Sequence, residues 1–412
     1  MSAQSAQGTA KDPTRGPAAL AGLKVLEIAQ LIAGPMAGSF LADLGADVIH
    51  VEDPVTGDPQ RTIGLRHEGV YLWWKVTGRN KRSVTIDLRQ PEGQELARRL
   101  ATEWADVVIS NFRVETLERW GLDWSTLHAA HPKLILLQVS GFGTNTSLRN
   151  SPAFGKLGEA MSGVVQITGF PDGPPVHTGF SHADSLTGLM GAFAIQTALY
   201  RRSLEVDFQG EMIDLALFET LYRLIEWQVI TYEATGVVPV RAGNQLAVSP
   251  AAVINTYLSA DGEWITVTSA TTRSVKNVAT LLGEPLEDYD TMEKQRERQE
   301  RLDNLLRDWM RARPAAQALE EMARIEVVAC RVFTMADIAK DETYRERSDI
   351  IEVPDDTLGS VKMQAVIPHL TNYPGHVWRV GPPLGADNDL VFKELLGMSE
   401  EQFTDLRSRG VI

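Results

Sequence analysis

Leu23-Lys24-Val25-Leu26-Glu27-Ile28, then Gly34-Pro35, then Leu44-Gly45, then Asp47-Val48-Ile49-His50-Val51: this run decides the fold. The outer segments read as strands. Gly34-Pro35 opens a short helix that reaches Leu44, and Gly45 ends it. A proline in the first turn occupies a position whose N–H has no helical partner, and a glycine past the last turn accepts the backbone of a helix stop. The unit is βαβ, which implies a parallel strand pair and a right-handed crossover. The glycine fingerprint of a dinucleotide-binding turn is absent. Ala33-Gly34-Pro35 still lets backbone approach a ligand.

The alternation continues outward. Ser83 to Asp87 reads as a strand, Pro91 to Glu103 as a helix, Asp106 to Ile109 as a strand, Glu115 to Trp120 as a short helix, and Leu134 to Val139 as a strand. Strands alternating with helices predict a doubly wound α/β sheet. Ligands on such sheets lie beyond the carboxyl ends of the strands. Asn111-Phe112 and Ser140-Gly141-Phe142 fall at such ends. Met212 to Phe218 and a helical stretch through Trp227 follow. Thr235 to Pro250 reads as a linker. Val253 to Tyr257 and Trp264 to Val267 form a hairpin around Asp261-Gly262. Residues 230–330 are expected to form a smaller α+β domain. Residues 20–229, rejoined by 331–412, are expected to form the larger α/β domain, and residues 1–19 a disordered terminus.

The chain has 412 residues and a net charge of −14. That charge argues against nucleic acid or an anionic membrane surface as partners. No apolar stretch is long enough to span a bilayer, and residues 1–19 lack the apolar core of a signal peptide. A cytoplasmic protein is expected. The single cysteine, Cys330, lies in Val327-Val328-Ala329-Cys330-Arg331-Val332 and reads as a buried small hydrophobe. The eight histidines show no metal-ligand spacing, so no metal site is expected. Trp73-Trp74 reads either as the lining of an apolar cleft or as core.

One acidic residue stands out. Asp184 follows the turn formers Pro174 to His182, and from Leu186 onward Leu189, Met190, Phe193, Ala194 and Ala198 recur at helical spacing. Asp184 is therefore expected at or just before a helix N-terminus, where free N–H groups and the helix dipole favour an ionised carboxylate. In a cleft such a carboxylate is a candidate nucleophile. The plainer reading is a helix cap.

Several segments in order carry a resemblance: Leu20-Ala21-Gly22-Leu23-Lys24-Val25-Leu26-Glu27, Ala33-Gly34-Pro35, Leu44-Gly45-Ala46-Asp47, Gly57-Asp58-Pro59, Asn80-Lys81-Arg82-Ser83, Asn111-Phe112-Arg113, Ser140-Gly141-Phe142-Gly143, Asp184-Ser185-Leu186-Thr187-Gly188, Arg241-Ala242-Gly243-Asn244 and Pro382-Pro383-Leu384-Gly385. Together they resemble the class III CoA-transferase family, of formyl-CoA transferase or CaiB/BaiF type. The likeness extends from about residue 20 to the C-terminus. It implies a ring-like chain with a Rossmann-like large domain and a small domain, interlocked with a second copy as a dimer. It implies that Asp184 is the catalytic nucleophile and passes through a mixed anhydride and an aspartyl-CoA thioester. The matched positions for coenzyme A are Asn80, Lys81, Arg82 and Ser83 near the adenine, Asn111 and Phe112 at a strand end, and Arg119 toward phosphate. No tightly bound cofactor is implied, only CoA thioesters and carboxylic acids as substrates.

The sequence also departs from that family. A glutamine at the reacting centre of formyl-CoA transferases falls at Ile32, and Gln30 is a candidate substitute. The family's acidic residue after Ser140-Gly141 falls at Lys156. The His-Asp pair of the related α-methylacyl-CoA racemases would fall in Phe154-Gly155-Lys156-Leu157 and is missing, which disfavours α-proton abstraction. The C-terminal segments look most like succinyl-CoA-dependent enzymes acting on dicarboxylates such as malate, citramalate or benzylsuccinate. Arg61 and Arg331 are the candidates to hold the substrate carboxylate. A racemase-like enzyme and a non-catalytic subunit of a heteromeric transferase stand as alternatives.

Overall fold

The computed structural model describes residues 18–412, so the expected disordered terminus lies, up to residue 17, outside the described residues. The chain divides into two compact units. Of the described residues, the first comprises 18–164, 178–229 and 345–412, and the second 165–177 and 230–344. The second unit thus begins at Ile230, runs to Tyr344 rather than to residue 330, and takes in the short segment 165–177 as well.

The first unit is built on a six-stranded, fully parallel sheet. Its strands are β1 (Lys24–Ile28), β2 (Asp47–Glu52), β3 (Lys81–Thr85), β4 (Val107–Ser110), β5 (Ile135–Ser140) and β6 (Glu211–Ala216), and their spatial order is β3-β2-β1-β4-β5-β6. This is the doubly wound order, in which the sheet reverses direction between β1 and β4. The apolar strand runs are long because both faces of the sheet are covered. On one face Leu26, Ile49, Val84 and Val108 meet a helix α2 (Pro91–Arg99) and the C-terminal segment, through Phe392, Phe403 and Ile412. On the other, Val25, Val48, Ile109 and Leu137 meet α1 (Ala33–Asp43) and, later in the chain, the long helix α5 (His182–Leu204).

Two further helices position the site. α3 (Val114–Trp120) follows β4, and α4 (Gly155–Met161) follows a loop after β5. Helix α5 lies close on α1 because it carries glycines there. A Cβ on Gly188 would stand 2.6 Å from the Cβ of Met36, and one on Gly191 2.6 Å from Leu137 Cδ2.

The second unit has a three-stranded antiparallel sheet, β7 (Val253–Leu258), β8 (Trp264–Ser269) and β9 (Ala329–Arg331), with β8 central. Helices α6 (Thr272–Leu282), α7 (Met292–Arg311) and α8 (Ala315–Arg324) share its core through Tyr257, Val278, Leu306 and Met322. Cys330 is exposed, contrary to the expectation of a buried residue. It sits mid-way along the edge strand β9, where Ala329 and Arg331 take the half-buried positions. Among the described residues no helix is long and apolar enough to cross a membrane.

Candidate active site

The carboxyl ends of β1 and β4 meet where the sheet order reverses. Two loops emerge there, Gln30–Ile32 and Asn111–Phe112. Asn111 joins them: its Oδ1 accepts the Gln30 N–H at 3.0 Å and its Nδ2 donates to the Gln30 carbonyl at 2.7 Å. The next residue, Leu31, has a left-handed backbone with φ of 66°. Its N–H donates to both carboxylate oxygens of Asp58, at 3.2 and 3.1 Å. A non-glycine residue in that region costs about 1 kcal/mol or more and persists only when its surroundings impose it. Asp58 and Asn111 supply that imposition.

Asp58 is itself anchored in a buried charge network. His50 Nε2 lies 3.3 Å from Asp58 Oδ2, His50 Nδ1 lies 2.5 Å from Glu27 Oε1, and Lys81 Nζ reaches the two Glu27 oxygens at 2.9 and 3.0 Å. All four side chains are buried. The register explains the meeting, since Glu27 pairs with His50 across β1–β2 and His50 with Ser83 across β2–β3. Burial alone would push the His50 pKa down, but the carboxylates of Glu27 and Asp58 override it and hold it up at about 9.

Helix α1 begins at the end of this loop. The backbone N–H groups of Ala33 and Gly34 have no acceptor among the described residues. They are the orphan donors of a helix N-terminus.

Asp184 is the third residue of α5, so it lies inside the first turn rather than before it. Ser181 holds the cap position, which removes the plain-cap reading. The Asp184 carboxylate makes no hydrogen bond among the described residues. Burial, and then the negative charge of Glu159, push its pKa up to about 6, while Lys156 opposes them. Lys156 Nζ lies 2.9 Å from Glu159 Oε1 and also donates to the carbonyls of Thr178 and Phe180 at 2.9 and 3.1 Å.

A cavity of about 620 Å³ brings these parts together. Its walls include Gln30, Ile32, Ala33, Asn111, Phe112, Lys156 and Asp184. A second cavity of about 280 Å³ lies beyond the ends of β1, β2 and β3, lined among others by Val51, Asp87, Arg89 and Trp120. Gln30 and Phe112 line both.

Asp184, Asn111 and Phe112 therefore share one cavity, as their expected roles require. The other expected CoA residues do not join them. Asn80, Lys81, Arg82 and Ser83 line neither cavity. They lie at and before the start of β3, at the opposite end of the strand from the cavities. Asn80 donates to Asp43 and to the His376 carbonyl, Lys81 to Glu27, Arg82 to Asp47, and Ser83 to Glu52. Asn80, Lys81 and Ser83 are buried. Arg119 is exposed in the last turn of α3 and lines neither cavity.

The two candidates for a substrate carboxylate are also spent elsewhere. Arg61 is paired to Glu52 through Nε at 2.6 Å and Nη2 at 2.7 Å. Arg331 belongs to the second unit and pairs with Glu263 and Asp337. The cations that do line the Asp184 cavity, Arg113 and Arg149, went unrecognised in the sequence. For Arg113 a signal existed, its place directly after Asn111-Phe112 at a strand end. The tryptophan pair divides: Trp73 lines the cavity and Trp74 is core. Among the described residues no group of histidine, cysteine and acidic side chains is placed to hold a metal ion.

A doubly wound sheet with a free carboxylate at the rim of its switch-point crevice defines the class, an enzyme with a built cavity. The comparisons then fix the family. Residues 20–388 match CoA-transferase family III. The chain is 41% identical to a succinyl-CoA–D-citramalate CoA-transferase of Chloroflexus aurantiacus, over 97% of this chain and 99% of that protein. It is 34% identical to the beta subunit of a succinyl-CoA–L-malate CoA-transferase of the same organism, over 95% and 98%. A crystal structure of a CaiB/BaiF family protein from Brucella suis superposes with a TM-score of 0.80 at 33% identity, covering 92% of this chain and 100% of that one. The chain belongs to CoA-transferase family III, and it is an enzyme that exchanges CoA between acyl groups.

Proposed function

We propose that the enzyme moves CoA from succinyl-CoA to a second dicarboxylic acid, of the malate, citramalate or benzylsuccinate kind, through a covalent intermediate on Asp184. The observation that carries this reading is the free Asp184 carboxylate in a cavity whose wall includes Ala33, a residue with an unsatisfied backbone N–H. The names of the relatives support the donor and the acceptor class.

The chemistry balances without a cofactor. An Asp184 oxygen attacks the thioester carbonyl, and CoA thiolate leaves, giving a mixed anhydride of Asp184 and the acyl group. The thiolate attacks the Asp184 carbonyl carbon and expels the donor acid, giving an aspartyl-CoA thioester. The acceptor carboxylate then repeats both steps in reverse order, forming its own anhydride, taking the thiolate and restoring the Asp184 carboxylate. Each addition develops an oxyanion, which needs donors already in place. The N–H of Ala33, on the cavity wall, supplies one in this reading, in place of the glutamine replaced by Ile32. Gln30 stands on the same wall. The loop is held rigidly by Asp58 and Asn111, so its donors need no reorganisation in the transition state.

CoA is taken to run from the smaller cavity past Phe112 and Gln30 to Asp184. Arg119, exposed and next in sequence to cavity-lining Trp120, keeps the phosphate role in this reading. The active form is proposed to be an interlocked dimer in the cytoplasm, where acyl-CoA thioesters are made and used. Phe193 and Tyr200, both on α5, are each 65% exposed, apolar side chains that a second copy would cover in this reading.

The test is direct. Wild-type enzyme incubated with succinyl-CoA and then hydroxylamine should carry a modified Asp184, seen by peptide mass spectrometry. Asp184→Ala should lose transfer by at least 10⁴-fold (~) while still binding CoA. Substantial transfer by the alanine variant would refute the mechanism. Native mass spectrometry distinguishes a homodimer from a chain that waits for a homologous subunit.

A further inference from the structure

The cavity around Asp184 holds more positive charge than the transfer chemistry uses. Its charged lining residues are Arg113, Arg149, Lys156 and Asp184. Lys156 is saturated by Glu159 and two carbonyls. The two arginines are not. Arg113 makes no ion pair or side-chain hydrogen bond among the described residues. Arg149 has one loose partner, Glu118 at 3.7 Å, with both side chains nearly half exposed. Each guanidinium offers five N–H donors in a planar fork that fits a carboxylate.

The local structure brings these two together. Arg113 caps the start of α3, its carbonyl accepting the N–H groups of Thr116 and Leu117. Arg149 lies in the loop between β5 and α4. Its neighbour Asn150 accepts the Glu115 N–H through Oδ1 at 3.1 Å. That bond ties the residue after Arg149 to the first turn of the helix that Arg113 caps. Two unspent guanidinium groups thus line the same cavity as the nucleophile, in a chain with a net charge of −14.

We propose that Arg113 and Arg149 form the receptor for the free, non-reacting carboxylate of the acyl group, and so select ω-carboxyacyl-CoA donors and dicarboxylic acceptors over monocarboxylic ones. The inference rests on the reading of Asp184 as the transferring carboxylate. The reacting end of the acid meets Asp184, and its far end meets the arginines. A monocarboxylic acyl group leaves both guanidinium groups without that partner.

The experiment compares succinyl-CoA with butyryl-CoA, which has the same chain length and no second carboxylate. Under ping-pong kinetics, kcat/KM for the donor reports the donor half-reaction alone. Wild type, Arg113→Gln, Arg149→Gln and the double variant are assayed with one acceptor, and free CoA binding is measured by calorimetry. The expected result is a fall of about 10- to 100-fold in the succinyl-to-butyryl ratio for Arg113→Gln, with a larger fall for the double variant. CoA affinity should stay within about twofold, and Arg113→Lys should recover part of the ratio. Equal losses on both donors, or weakened binding of free CoA, would assign the arginines to CoA itself and overturn the proposal. A wild-type enzyme that forms no Asp184 adduct with any acyl-CoA overturns the parent reading and this one with it. An adduct with undiminished succinyl preference in the double variant overturns this one alone.

Discussion

A Cβ placed on Gly155 would stand 2.1 Å from Oδ2 of Asp184 and 2.6 Å from its Cγ. The first residue of α4 and the third residue of α5 approach so closely that only glycine fits between them. The carboxylate is therefore positioned by the absence of a side chain.

Gly155→Ala should consequently push Asp184 off its place with little harm to the fold, because Asp184 has no hydrogen bonds to lose. A displacement near 1 Å at a nucleophile costs on the order of 100-fold in rate. We expect kcat to fall by about that factor, while CoA affinity and the melting temperature change little. Unchanged kcat would show that Asp184 does not act from the position seen here.

The raised pKa of Asp184 has two consequences with opposite signs. The nucleophile must be ionised, so kcat/KM for the acyl-CoA should rise tenfold per pH unit up to about 6 and then level. Stability should move the other way. Between the ordinary value of 3.8 and about 6 the folded state holds more protons than the unfolded chain, so stability falls as pH rises. Above pH 6 the deficit is complete, about 2–3 kcal/mol. Asp184→Asn should therefore melt higher than wild type at pH 8 and at the same temperature at pH 4. Equal melting temperatures at both pH values would contradict the burial-driven shift.

His50 predicts an alkaline limit. Its pKa is raised to about 9 from 6.5, so the stabilisation it gives is whole below pH 6.5 and is lost as pH rises through 9. The size is up to about 3 kcal/mol. Thermal midpoints of wild type should decline across pH 7 to 9.5, and His50→Asn, with a lower midpoint at neutral pH, should show a flatter decline. Parallel curves for the two proteins would remove His50 as the cause.

The parts of the fold that were legible in sequence are those written in local signals. The βαβ start was placed to within a residue or two because Pro35 and Gly45 mark its helix directly. β3 was read two residues late, as Ser83 to Asp87 instead of Lys81–Thr85. Lys81 is buried by a partner, Glu27, that lies 54 residues away. The partners of Asn80, Arg82 and Ser83 are likewise remote in sequence. Basic residues in a row suggest a ligand, and nothing local reveals that Asp43, Asp47 and Glu27 wait inside. Asp184 was legible because a helix start has a pattern. Arg149 was not, because the loop that carries it is placed by partners remote in sequence, Asn150 on the backbone of α3 and Thr144 on Asp214. Cys330 was misjudged because its apolar neighbours suggest a core strand, and an edge strand has the same composition.

The segment that seats Phe392, Phe403 and Ile412 against the sheet is made after the strands it covers. All six parallel strands and the whole second unit are synthesised before it. During translation the part of that face which α2 does not cover therefore waits, apolar, for residues still to be added. A nascent chain stalled anywhere past β6 would present that face to other chains. The enzyme's exposure to aggregation is thus set in time, by the delay between the sheet and its cover, more than by any patch on the finished molecule.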